Sequence, residues 1–117
     1  MSQKLRSIKL AVLANCYEDH VGLWEVVRTA QDRLPGLASK ELMAIVLRSV
    51  KDLLETELVE AGAPTPDGRG FVAWQSSPSE TLARIADAWS SLGRAPTIGE
   101  IVWFTTSPRG DRLLSEE

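Results

Sequence analysis

The chain has 117 residues, the length of one domain, and a chain of this size can bury a hydrophobic core without disulfide bonds. Hydrophobic residues make up 44% and charged residues 25%, as in ordinary globular proteins, and the single cysteine excludes an internal disulfide. The net charge of −3 is opposite in sign to the basic excess that nucleic-acid binders usually carry to neutralise phosphates.

The N-terminal segment predicts a helix and no export signal. Residues 10–14 form an apolar run behind a basic start, but the run is too short and too interrupted for a signal peptide. No run approaches the roughly 20 apolar residues that cross a bilayer. We therefore expect a cytoplasmic domain, residues 1–117, with no membrane partner. In residues 3–14, apolar residues occur at alternate positions as in a strand, but apolar residues also recur at the spacing of a helical face. We favour the helix, and we expect a turn over residues 15–19.

Two helices are predicted in the next part of the chain. Asp19 is a suitable N-cap for the first, which ends at Pro35 because proline lacks an amide donor. Ser39 is the expected cap of the second, whose broad apolar face indicates the most buried helix. We expect Gly62 to end this helix and residues 63–70 to form a loop rich in turn-forming residues.

The second half of the chain predicts two strands and two capped helices. Residues 71–74 form a short strand, and the sequence Ser77-Pro78-Ser79-Glu80 is a capping box that opens a helix ending at Gly93. Residues 101–106 form the second strand. Ser107-Pro108 repeats the cap and opens a final helix to about Leu114, after which the last three residues are expected to fray.

This ending resembles the closing segment of a winged-helix domain, in which a strand followed by the pattern Thr-x-x-Gly-Arg-x-Leu leads from the wing into a last helix. The matching positions are Phe104-Thr-Thr106, Gly110 and Leu113-Leu114. Residues 53–62 also look like the approach to a wing, but Glu57 stands where glycine is usual, so we expect the turn to be missing and the helix to be longer.

The resemblance covers residues 19–115 and implies an α+β fold. We expect one winged-helix-like domain with four to five helices and a small two- or three-stranded antiparallel sheet, preceded by a helix or arm in residues 1–15. Residues 75–100 separate the two strands of the wing, which a tight turn normally joins. Either a helix is inserted in the wing or the arrangement is a different α+β fold. The amino-acid composition of the chain also resembles that of many small bacterial proteins.

Catalytic and metal-binding signals are weak. Cys16 and His20 lie four residues apart and could form a nucleophile pair or part of a metal site, but a closed zinc site needs four ligands and this chain has one cysteine and one histidine. The more common explanation is an incidental cysteine beside a surface histidine. We expect no enzyme activity, no metal and no cofactor.

An acidic segment and four tryptophans favour a protein partner. Asp52, Glu55, Glu57 and Glu60 crowd the end of the third predicted helix, where they either serve solubility or form a contact surface for a basic protein. Tryptophan is common in binding hot spots, and we expect Trp74 and Trp103 to lie on one face if the two strands pair. The first hypothesis is therefore a non-enzymatic interaction module, for example an immunity or antitoxin-type protein.

The alternative hypothesis is a winged-helix transcription regulator that binds DNA. It requires Arg94, Arg109 and Arg112 to converge on phosphates together with a basic N-terminal arm of Lys4, Arg6 and Lys9, and the sequence cannot show this convergence. The acidic segment would lie where a DNA-reading helix ends and would repel phosphates, so we disfavour nucleic acid as the partner. The oligomeric state stays open, with a homodimer among the alternatives.

Overall fold

The computed structural model describes residues 2–115, which form five helices and four strands. In chain order these are α1 (Ser2–Glu18), β1 (Val21–Gly22), α2 (Leu23–Arg33), α3 (Ser39–Glu55), β2 (Val59–Pro64), β3 (Phe71–Ala73), α4 (Pro78–Leu92), β4 (Trp103–Thr106) and α5 (Pro108–Ser115). Ser115 ends α5, and the other two positions predicted to fray lie outside the described residues. Within residues 2–115, no helix is both long and apolar enough to cross a membrane.

The sheet is antiparallel throughout, with the strand order β1-β4-β2-β3. The α+β class is confirmed, but the predicted sheet of two or three strands is corrected to four. β3 and β4 both pair with β2 and do not pair with each other. Gly62 of β2 therefore stands between Trp103 of β4 and Ala73 of β3.

The core lies between one face of this sheet and the helices. Phe104 and Ala61, which are register partners, point into it together with the apolar faces of α1, α2 and α3. The predicted N-terminal helix is confirmed, but it continues through Glu18, so the turn predicted over residues 15–19 is wrong for most of its length. Cys16 is fully buried on the same face as Ile8 and Val12, and this burial favours another helical turn.

Two predicted caps are wrong by a few residues. α2 begins at Leu23, after the short strand β1, with Gly22 in the cap position; the Asp19 carboxylate instead accepts a hydrogen bond from the amide of His20 at 2.7 Å. α3 has Ala38 in the cap position, so Ser39 is its first helical residue. Glutamates three residues inside each helix accept the cap amides, and this half of a capping box does not need a serine.

The largest correction concerns the end of α3. The helix ends at Glu55, and the residues predicted to continue it, or to form a loop, build the central strand β2. Glu57 has a φ of 60°, the left-handed conformation that glycine usually takes. The amide of Leu58 donates to the carbonyl of Leu53 at 3.0 Å and that of Glu57 to Leu54 at 3.1 Å. These are the two bonds of a Schellman motif, so the turn expected to be missing is present.

The caps of the last two helices are confirmed. In α4 the Ser77 hydroxyl accepts from the amide of Glu80 at 3.2 Å, and the Glu80 carboxylate accepts from the amide of Ser77 at 3.1 Å. Gly93 ends α4 with a φ of 67°. In α5 the hydroxyl of Ser107 accepts from the amide of Gly110 at 3.1 Å. The local sequence signals therefore predicted the first residues of both helices correctly.

Candidate functional site

A groove runs beside the first half of β2. Ala73 and Trp74 form its apolar floor, and Val59 and Ala61, whose side chains are buried, border it along the strand edge. The end of α3 borders one end, and the starts of α4 and α5 border the other sides. We call this concavity the β2 groove. Its volume is about 520 Å³, within the range of sites that take small ligands or a few residues of a peptide.

Two acidic residues line the β2 groove from the α3 side. Glu57 belongs to the Schellman turn, and its left-handed backbone conformation reverses the chain from α3 into β2. Glu60 follows on β2 opposite Thr105 of β4, and its side chain is exposed because the alternation of the strand directs the buried side chains of Val59 and Ala61 into the core. The turn and the strand therefore place both acids at the same opening.

Two arginines line the groove from α5. Ser107 fixes this helix: its amide donates to the carbonyl of Leu58 at 3.0 Å, and its hydroxyl donates to the carbonyl of Glu57. Gly110 lies against the same turn, and a Cβ built on it would overlap the Leu58 carbonyl oxygen. This close approach sets α5 against the start of β2 and brings Arg109 and Arg112 to the groove.

Trp74 forms the aromatic part of the floor. It is half-buried and packs against the core, and the guanidinium carbon of Arg84 lies 3.6 Å from its ring centroid. A cation at this distance from the ring is attracted by the π electrons and restrains the indole. Beside it, the hydroxyl groups of Ser76 and Thr81 are hydrogen-bonded at 2.7 Å. The floor of the groove is therefore held in place by contacts within the chain.

The residues around the β2 groove carry charges of both signs, and these charged side chains do not pair with each other. Among the side chains that the structure describes within residues 3–115, which exclude that of Glu18, none forms an ion pair or a hydrogen bond with the side chains of Glu57, Glu60, Arg109 and Arg112. With respect to these described side chains, the two carboxylates remain available as acceptors and the two guanidinium groups as donors. The groove is thus suited to a partner that offers apolar, cationic and anionic groups within a short distance.

The other residues of the acidic segment lie elsewhere. Asp52 is half-buried and forms an ion pair with Lys9 of α1 at 3.2 Å. Glu55 is exposed and borders a separate apolar depression between α3 and α4. The four acidic residues therefore lie at three different places on the surface, and only Glu57 and Glu60 line the groove.

Trp103 also lies away from the β2 groove. It is half-buried in β4, where its register partners are Gly22 and Gly62. Its ring lies beside Gly22, as does the ring of Trp24 at the start of α2. Because β2 separates β3 from β4, Trp74 and Trp103 are not neighbours across a strand pair, contrary to the expectation.

Arg94 does not join the other two arginines. It follows α4, and its guanidinium forms two hydrogen bonds to the Glu100 carboxylate at 2.8 and 2.9 Å. Hydrogen bonds from Arg94 and from Thr97 lower the pKa of Glu100 to about 2. α4 begins at the groove and is about 22 Å long at 1.5 Å per residue, so Arg94 lies at its far end. The three arginines therefore do not form one cluster.

Cys16 and His20 border one shallow depression, but their environments differ. Burial raises the pKa of the Cys16 thiol to about 12, so the sulfur is protonated at neutral pH and is neither a good nucleophile nor a metal ligand. The His20 ring lies 5.1 Å from the ring of Phe71. The described part of the chain contains no group of three or more His, Cys, Asp or Glu side chains that could hold a metal ion.

Two parts of the groove were not anticipated from the sequence. The contact between Arg84 and Trp74 joins residues on different elements, and no spacing rule points to it. β2 was missed, although Val59, Glu60 and Ala61 alternate between buried and exposed as a strand requires. Three residues are too few for this pattern to outweigh the long helical pattern before it.

The chain matches no family model, no curated protein and no solved structure. The case for a function therefore depends on the chemistry and geometry of the β2 groove.

Proposed function

We propose that this protein is a non-enzymatic protein-interaction module whose partner binds in the β2 groove. The observation that carries the proposal is the convergence of Glu57, Glu60, Arg109 and Arg112 around Trp74, with none of the four charges paired among the described residues. Interface hot spots commonly combine an aromatic anchor with charged groups that fix the orientation of the partner.

The preferred partner is a protein with a basic surface. The net charge of −3 accelerates the approach of a positively charged molecule, and the two glutamates of the groove then provide specific contacts. An example of such a role is that of an immunity or antitoxin-type protein, a small cytoplasmic protein that binds and neutralises a basic toxin. Arg109 and Arg112 add the requirement that the bound segment also carries an acidic group.

The alternative proposal is a winged-helix DNA-binding regulator. The predicted wing strands, residues 71–74 and 101–106, do not pair with each other, so the chain order supports this proposal only with β2 and β4 as the wing and with β3 and α4 as an insertion between them. The charges support it less. Arg94 is bound to Glu100, and Arg109 and Arg112 share their groove with two carboxylates, which repel phosphates.

A matched pair of charge reversals tests the first proposal. Tagged protein is used to capture partners from a lysate of the native host, with Glu60→Lys as the groove variant and Asp87→Lys, on the exposed side of α4, as the control. Both variants change the net charge equally. We expect one stoichiometric protein with the wild type and the control, and at least about tenfold less with Glu60→Lys, since truncated or reversed interfacial charges cost a few kcal/mol.

Two outcomes would count against this function. Equal capture by Glu60→Lys and Asp87→Lys would show that the groove is not the contact surface. Binding of duplex DNA that weakens steeply with salt would favour the regulator instead. Arg109→Glu and Arg48→Glu form the matched pair for that measurement.

A further inference from the structure

The first half of β2 has a strand on only one side. β4 pairs with it from Val59 to Gly62, whereas β3 pairs only from Gly62 to Pro64. One additional hydrogen bond, from the amide of Trp74 to the carbonyl of Ala61 at 2.8 Å, extends the contact before the chain turns away into α4. Residues 59–61 therefore border the β2 groove with an open strand edge.

The backbone groups that face the groove follow from the alternation of the strand. The carbonyl of Leu58 accepts from Ser107 on the β4 side, and the carbonyl of Ala61 accepts from Trp74 on the β3 side. Successive residues in a strand direct their backbone groups to opposite neighbours, so Leu58 and Glu60 face β4. The N–H and C=O of Val59 and the N–H of Ala61 face the groove, where no strand meets them.

We infer that an extended segment of the partner adds as a strand to this open edge of β2; this inference rests on the proposed function. The segment exchanges backbone hydrogen bonds with Val59 and Ala61, and one of its apolar side chains contacts Trp74. A basic side chain reaches Glu57 and Glu60, and an acidic one reaches Arg109 and Arg112. Strand addition of this kind takes its affinity from the backbone and its specificity from neighbouring side-chain sites.

The charges of the groove favour a separate partner over a second copy of this chain. The strands at the two edges of the sheet, β1 (Val21–Gly22) and β3 (Phe71–Ala73), contain no charged residue. Neither could satisfy the two acids and two arginines. The bound segment is therefore a short linear peptide that carries charges of both signs.

The residues that line the groove are already held in place in the free protein. Arg84 restrains Trp74, the bond between Ser76 and Thr81 fixes the chain beside it, and Ser107 holds α5 against the turn at Glu57. Because these contacts exist in the free protein, less ordering entropy is lost when the peptide binds. The open edge is short, so we expect micromolar rather than nanomolar affinity.

The test uses peptides selected from a random linear library displayed on phage, with the full chain as bait. Each selected peptide is then synthesised with single N-methyl groups along its backbone. Strand addition predicts an alternating result: methylation of every second amide reduces affinity by about tenfold or more, and methylation of the amides between them changes it little. The same peptide should slow amide hydrogen exchange at Val59 and Ala61.

Protein variants supply a second readout. Ala61→Pro removes an N–H that faces the groove while leaving the β4 ladder bonds in place, so it should weaken peptide binding by about tenfold without unfolding the protein. Asp87→Lys should leave affinity unchanged. If Ala61→Pro does not fold, the methylation series on the wild-type protein still decides the question.

Three results would overturn strand addition. The first is uniform tolerance of N-methylation, and the second is binding without protection of Val59 and Ala61. The third is selection of no groove-binding peptide although Glu60→Lys abolishes capture of the natural partner, in which case the proposed function stands and the strand mode fails. If Glu60→Lys leaves that capture intact, the proposed function itself fails.

Discussion

Glu57 occupies a left-handed position at the end of α3, with a φ of 60°. This conformation costs an ordinary L-residue roughly 1–2 kcal/mol, which glycine avoids at an entropic cost of about 0.5–1 kcal/mol. The Schellman bonds from Glu57 and Leu58 hold the turn despite the unfavourable residue. The unfavourable residue also places an acidic side chain at the β2 groove.

The substitution Glu57→Gly should therefore stabilise the protein by about 0.5–1 kcal/mol in the free energy of unfolding, measured by urea denaturation. Glu57→Ala is the control, because it removes the charge and leaves the backbone cost. Equal stability of the two variants would contradict the assigned conformation. Glu57→Gly should at the same time weaken capture of the partner.

Glu100 makes stability depend on pH. Hydrogen bonds from Arg94 and Thr97 lower its pKa to about 2 in the folded chain, below the ordinary value of 4.5. Its contribution is therefore complete above pH 4.5 and is lost as the pH falls toward 2. We expect Glu100→Gln to be less stable than the wild type at neutral pH and to lose less stability on acidification.

Thermal unfolding between neutral pH and pH 2 measures this difference. Glu55→Gln serves as the control, since the Glu55 side chain makes no hydrogen bond within the described residues. A gap between wild type and Glu100→Gln that stays constant across the whole range would exclude the contribution of Glu100.

The packing of α5 on the start of β2 is the element contact that completes the groove. Gly110 is buried, and a Cβ at this position would overlap the Leu58 carbonyl oxygen. Alanine is the better helix former by about 1 kcal/mol, yet the clash involves backbone, so α5 would have to move away.

We therefore expect Gly110→Ala to destabilise the protein by roughly 1–3 kcal/mol in chemical denaturation. Arg112→Ala, at an exposed position of the same helix, should change stability by no more than about 0.5 kcal/mol. If Gly110→Ala is as stable as Arg112→Ala, α5 does not approach the turn as closely as described.

The elements that the sequence predicted correctly are those with local signals. The capping box at Ser77 and the cap at Ser107 begin α4 and α5 because their bonds join residues three apart. β2 was predicted as helix because glycine was expected at the turn and Glu57 stands there. A left-handed glutamate is stabilised by its surroundings, including the hydroxyl of Ser107, and these are not visible in a local pattern.

Local sequence features also predicted the site only in part. Glu57, Glu60, Trp74, Arg109 and Arg112 were singled out as charged or aromatic candidates, but in two opposing hypotheses. Their meeting in one groove depends on the strand order and on the approach of α5. Both are long-range features that spacing does not encode.

At the scale of the whole molecule, the negative net charge and the mixed charges of the groove have separate roles. The net charge acts at long range on the rate of association and is screened by salt. In the proposed complex, the groove charges act at contact distance and therefore affect mainly the dissociation rate. For a basic protein partner, added salt should therefore slow association by more than it speeds dissociation, which surface plasmon resonance can resolve.

The central claim is that the β2 groove is where the partner binds. Amide hydrogen exchange of the protein, with and without the captured partner, tests it most directly. Binding in the groove predicts added protection in residues 57–61, 74–76 and 109–112, and little change on the exposed side of α1 or α3. Protection confined to those helices, with the groove exchanging as in the free protein, would contradict it.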